Sequence, residues 1–192
     1  MDPLHPPDGT MPRYHENPGD PRSVGEGIVI RNWLAVWTRS RHEKLVRDHL
    51  LGRGIEVFLP LLHVSSRRRD RRAMVDLPAF PCYLFARPEL SDACHIKTVR
   101  GVVRVLGPSP TSYSIVPDHQ VEAVRTMVEG TLRVDPYPYL KVGSRVRVKS
   151  GPLKGLEGTL VRKEKRLRVV VSVDLLCQSI AAEVSADEVE AA

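Results

Sequence analysis

Aromatic residues are scarce in this 192-residue chain, at 5% of the total, and cysteine is scarcer still. Cys82, Cys94 and Cys177 are odd in number and form no close pair. That pattern indicates neither a disulfide framework nor a zinc site. No apolar run approaches the ~20 residues needed to cross a bilayer. The first thirty residues also lack the apolar stretch of a secretory signal, so the expectation is a soluble, cytoplasmic protein with no membrane partner. Catalytic constellations are missing too. His42-Glu43 has no second histidine at metal-helix spacing, and there is no glycine-rich phosphate loop, Ser/His/Asp set or pair of carboxylates in an apolar setting. No catalytic residue, metal or cofactor is expected, and the chain is not read as an enzyme.

The few aromatics are concentrated. Phe80-Pro81-Cys82-Tyr83-Leu84-Phe85-Ala86 places three rings in seven residues, and Trp33 and Trp37 share an apolar run upstream. Such a concentration builds either the centre of a core or a docking pocket. Tyr83 and Phe85 fall on one face of a strand, and Pro81 keeps the residues just before them out of a regular ladder.

Charge is uneven. Residues 1–30 hold six of the sixteen prolines (Pro3, Pro6, Pro7, Pro12, Pro18 and Pro21) and a net charge of −3, which leaves +9 of the total +6 on the rest. A segment so poor in aliphatics cannot offset its own ordering entropy, so residues 1–31 are expected to form a disordered leader. A small basic body favours a polyanion, most often nucleic acid. The run Arg67, Arg68, Arg69, Asp70, Arg71, Arg72 suggests a hairpin tip whose guanidinium forks contact phosphate or a groove edge, the alternative being a solvated loop.

Periodicity supplies the elements. Asn32–Thr38 reads as a strand. Ser40 with Glu43 forms a capping box for a helix carrying Leu45, Val46, His49 and Leu50, ended by Gly52 and Gly54. Ile55, Val57, Leu59 and Leu61 share one face of a second strand. A short helix over 92–99, a strand over 102–106 and a second helix from Pro117 to Gly130 follow. This order describes an α+β sandwich with helices on one face of a mainly antiparallel sheet. Val134–Leu140, with two prolines, reads as a linker. From Lys141, short strands at 159–162, 167–173 and 180–184 with tight glycine turns indicate a small five-stranded barrel. The valine run 169–173 favours strand, so this body is expected to stay a barrel.

Two motifs carry a resemblance. Gly151-Pro152-Leu153-Lys154-Gly155-Leu156-Glu157-Gly158 resembles a KOW motif. Trp33, the basic helix and Phe80-Pro81-Cys82-Tyr83 together resemble the NusG N-terminal (NGN) domain, with Cys82 where glycine is common. The division expected is a leader at 1–31, an NGN domain at 32–131, a linker at 132–140 and an SH3-like KOW β-barrel at 141–190. Thr38–Lys44, Val57–Pro60 and Tyr139–Gly143 are closer to the specialised antiterminator paralogues of that family. The resemblance implies an elongation or antitermination factor that binds the clamp of bacterial RNA polymerase through Trp33, Leu59, Phe80, Pro81 and Tyr83. It also implies that Arg39, Arg41, His42 and Lys44, beside the arginine run, face upstream or non-template DNA. The KOW loop residues Gly151, Pro152, Leu153, Gly155, Leu156 and Gly158 would meet a small-subunit ribosomal protein or Rho, although Leu153 stands where the housekeeping barrel has phenylalanine. The alternative is a ribosome-associated or general RNA-binding KOW protein whose aromatics are only core.

Overall fold

The computed structural model describes residues 31–65, 74–89, 93–130, 132–139, 143–163 and 166–192. Residues 1–30 of the leader and the arginine run 67–72 lie outside these described residues, while Arg31 is described and forms a β-bridge with Glu89. Two antiparallel sheets and a separate hairpin make up the strands. The first sheet has the order β2-β5-β1-β6 (Glu56–Phe58, Tyr83–Arg87, Trp33–Thr38 and Val102–Val105), with β7 (Ile115–Val116) also pairing β1. Leu61–Ser65 (β3) and Met74–Pro78 (β4) form the hairpin. The expected continuous strand over 55–62 is therefore broken at Leu59-Pro60, yet its alternation survives. Ile55 and Leu59 enter one core, with Val57 and Leu61 packed on it, while Phe58 and Leu62 enter the other.

The two cores lie on opposite faces of the first sheet. Leu34, Val36, Leu84 and Ala86 pack against Val46 and Leu50 of α1 (Glu43–Leu51) and Ile96 of a 3-10 turn. Trp33, Ala35, Phe58 and Phe85 pack instead with Val121, Val124 and Met127 of α2 (Asp118–Glu129). One helix therefore covers each face, which corrects the expectation that both share one. The reason is parity: residues alternate between faces along a strand, and each sheet face here is apolar, so each needs its own cover.

The second sheet has the order β13-β9-β10-β11-β12-β8. Its strands are Val189–Ala191, Ser144–Val148, Glu157–Lys163, Arg166–Val173, Gln178–Val184 and Val134–Tyr137. The last of these is the run read as a linker. It is an edge strand, with Pro136 opposite Ile180, and an edge position tolerates the N–H that proline lacks. The valine run falls in β11, as its β-propensity requires. Val146, Val148, Leu153, Leu156, Val169, Val171 and Ile180 fill the inner face and join the cluster that holds Trp33 and Phe85. Helix α2 carries that continuity: positions 121 and 124 belong to the core it shares with the first sheet, while Gln120, Ala123 and Thr126 border a cleft with the second. The order of layers is α1, first sheet, α2, second sheet.

Candidate functional site

The Phe-Pro-Cys-Tyr stretch sits where β5 begins, and it is held in place from below. Glu43 is buried, and its Oε1 accepts a hydrogen bond from the Cys82 N–H at 2.9 Å. The Thr38 N–H donates to the Cys82 carbonyl at 2.8 Å, and Cys82 itself has φ 68°, a left-handed conformation. That conformation explains why glycine suits the position and why an L-residue there is held by its surroundings. The expected capping box is corrected by the same contact. His42, not Ser40, is the N-cap, and no side-chain cap hydrogen bond forms. Glu43 instead accepts from a part-buried tertiary backbone N–H, which needs a protein partner more than a solvated helix end does.

Strand register places the aromatics in rows on the α2 face, because directly opposed residues point the same way. Arg87, Trp33 and Val116 form the first row, and the Arg87 guanidinium lies 5.6 Å from the centre of the Trp33 ring. Phe58, Phe85 and Ala35 form the second; Phe80 meets Phe85 edge-on at 6.1 Å, and Arg125 of α2 caps Phe58 at 4.6 Å. Tyr83, Trp37 and Arg104 form the third, with the Arg104 guanidinium 5.7 Å from the Trp37 ring centre. The first two rows are sealed: Trp33 and Phe80 are each only 1% exposed. The third is open, with Trp37 at 37%, Tyr83 half-buried, and Val103 and Pro81 exposed beside it.

This distribution revises the expected pocket. Trp33 and Phe80 are interior, and Leu59 belongs to the core on the opposite face, so these three cannot form one open surface with Tyr83. Tyr83 and Pro81 remain on the surface. Trp37 and Arg104 complete the exposed row, and sequence reasoning left them out. The available signal was parity: Trp37 is four residues from Trp33, on the same strand face but nearer the end that no helix covers.

Among the basic residues, Arg39, Arg41 and Lys44 are exposed and His42 is half-buried. They cluster at the turn between β1 and α1, where Arg41 has φ 63° and the His42 Nδ1 lies 2.9 Å from the Ser40 carbonyl oxygen. Gly101 packs beneath this turn, accepting a hydrogen bond from the Arg39 N–H at 2.8 Å. In the glycine loop, Pro152 and Gly155 are exposed, but Leu153 and Leu156 are buried. Gly155 has φ 87°, and a Cβ on Gly158 would fall 2.6 Å from Val169, so both glycines are required by geometry. Leu153 reaches the end of α2, where a Cβ on Gly130 would sit 3.0 Å from its Cδ2. Nearby, Arg147 of β9 donates to Glu157 and holds that carboxyl below the ordinary glutamate range. Among the described residues, no group of three His, Cys, Asp or Glu could hold a metal, and no helix is long and apolar enough to cross a membrane.

Residues 31–125, which contain the first sheet and most of α2, match the family described as "Transcription termination factor nusG". Residues 31–125 are a NusG-family domain. It is 24% identical over 183 residues to the transcription termination/antitermination protein NusG of Borreliella burgdorferi, covering 84% of this chain and 99% of that one. In fold it is similar to a NusG of Thermotoga maritima, solved in a study of domain interaction in that protein. There the TM-score is 0.51 at 20% identity, over 84% of this chain and 97% of the other. The match to a NusG fold accounts for the α+β architecture.

Proposed function

We propose that this NusG-family chain is a transcription elongation and antitermination factor that binds the clamp of bacterial RNA polymerase through its first sheet. The observation that carries this reading is the open row Tyr83, Trp37 and Arg104 on a sheet face that is otherwise sealed. Large rings open to solvent on rigid strands are the residue types that dominate protein interfaces, and the arginine stacked on Trp37 adds a cation. Pro81 and Val103 extend the row into a shallow apolar surface suited to the side of a helical pair. The relative's name, a termination/antitermination protein, supports the same reading. Bridging the polymerase across its cleft disfavours the open clamp of a paused complex, since a ligand shifts an equilibrium toward the state it binds better. Arg39, Arg41, His42 and Lys44 lie at the turn before α1 and supply salt-dependent contacts to upstream or non-template DNA. The division into an NGN domain at 32–131 and a KOW body at 141–190 is part of this reading, with β8 assigned to the second body. So are the cytoplasmic location and a ribosomal-protein or Rho partner for the glycine loop.

Retention of purified core RNA polymerase on the immobilised full chain tests it. Trp37→Ala and Tyr83→Ala each weaken retention by about thirtyfold, the size of an interface hot spot, while both variants stay folded by circular dichroism. Unchanged retention in both, or co-sedimentation with ribosomes and none with polymerase, overturns the assignment in favour of an RNA-binding KOW protein.

A further inference from the structure

The face of the first sheet under α1 is also covered unevenly, with its opening at the other end of β1. Around Leu34, at the start of that strand, the sheet floors a groove of about 490 Å³. Strand register sets Leu34 opposite Ile115, and both line the groove. Ile115 is 56% exposed, a large aliphatic left in water. Tyr113 and Lys97 line it as well; the Lys97 ammonium lies 4.9 Å from the centre of the Tyr113 ring and donates to the Pro110 carbonyl. The groove therefore joins an apolar floor and one ring to a held positive charge. Asn32 also lines it, and the chain arrives at Asn32 directly from the leader. Arg31 bridges Glu89 in the same register that pairs Leu34 with Ala86, so the ladder continues to the point where thirty upstream residues join.

We propose that this groove is the docking site of the leader's own Pro18-Gly19-Asp20-Pro21, a segment outside the described residues, seated as a polyproline II turn with Asp20 facing Lys97. Prolines three apart fall on one edge of that helix, and the conformation costs little entropy to fix, which suits such segments to grooves of aromatic and apolar residues. Composition leaves the leader too few aliphatics to pack on itself, and the groove supplies the surface it lacks. Charge agrees, since the leader carries −3 and its segment 18–21 a carboxylate. Pro3 and Pro6 have the same spacing, but Leu4 and His5 between them offer Lys97 no carboxylate. Reach agrees too: residues 22–31 join Pro21 to Asn32, span up to about 35 Å and hold Gly25 and Gly27, where the chain can reverse. Tethering raises the local concentration of the segment, so a weak contact is enough. A seated leader keeps its carboxylates at the opposite end of β1 from Arg39, Arg41 and Lys44 and leaves the row Tyr83, Trp37 and Arg104 uncovered. The inference does not depend on what that row binds.

Nitrogen-15 relaxation of the labelled full chain decides it. In the wild type the Gly19 and Asp20 amides give order parameters of about 0.8, near those of β1, where a free tether gives less than about 0.6. Replacing both prolines, Pro18→Ala with Pro21→Ala, lowers the two values below about 0.6 and shifts the amides of Cys94, Lys97, Tyr113 and Ile115, while those of the second sheet stay in place. Asp20→Lys has the same effect, and adding Lys97→Asp restores the order by reversing the pair. Should the Lys97→Asp variant not fold, the proline pair decides alone, since it leaves every residue of both sheets unchanged. Dilution leaves the wild-type values as they are, because the segment and its groove belong to one molecule. The inference is overturned if the wild-type Gly19 and Asp20 already lie below about 0.6, if the proline pair leaves the groove amides unmoved, or if a folded Lys97→Asp variant fails to rescue Asp20→Lys. Loss of order on dilution also overturns it, and assigns the groove to the leader of a second copy.

Discussion

The two ends of one sheet face are built from the same residue types and differ in what covers them. At one end Trp33, Phe58, Phe80 and Phe85 lie under α2. At the other, two strand steps along β1 and β5, Trp37 and Tyr83 have no helix above them and meet solvent beside Arg104. The contrast teaches that a ring's role follows from the length of its cover, since α2 ends at Glu129 and cannot shield the whole sheet. Stability and recognition are thus divided along a single strand.

Mutations at the two ends should separate these roles, the largest effect coming first. Phe85→Ala removes a fully buried ring that contacts both Phe58 and Phe80, and costs about 3–5 kcal/mol, read as a large fall in melting temperature or loss of folding. If it instead melted like the wild type, the sealed end would not be core. Glu43→Ala strands the Cys82 N–H beneath the open row and costs about 1–3 kcal/mol in urea unfolding. Its nitrogen-15 spectrum should move most around 38 and 82. Trp37→Ala costs less than about 1 kcal/mol of stability, because the ring is already part-exposed, while removing most polymerase retention; equal losses in both would erase the contrast between the ends. Glu157→Gln has the smallest effect. The Arg147 contact lowers the Glu157 pKa, so its stabilisation is present at neutral pH and fades as pH falls through that lowered value. The variant should melt close to the wild type at pH 7, and the small difference should vanish in acid.

Much of this organisation was legible in the sequence, for reasons that particular residues make plain. Val121, Val124 and Val128 with Gly130 marked α2 because helical spacing and a stop signal are local properties. The valines of β11 marked strand for the same reason. What could not be read was which group each side chain would choose at a distance. Glu43 had the spacing of a capping box, yet a part-buried N–H thirty-nine residues away claimed it. The prolines of β8 spelled linker because the signal for an edge strand is the neighbour it pairs with, and that neighbour is β12. In the pocket, Trp33 and Trp37 are chemically alike in one short run, and only the position of α2 decides which of them a partner can reach.

The early entry of the chain into β8 also limits how far the molecule can come apart. Helix α2 ends at Glu129 and β8 starts at Val134, so the joint between them is four residues long and spans at most about 14 Å. The second sheet therefore cannot be drawn further than this from the end of α2 while β8 stays paired with β12. Any wider separation of the two sheets requires β8 to peel away from β12, which breaks a strand pairing of four residues.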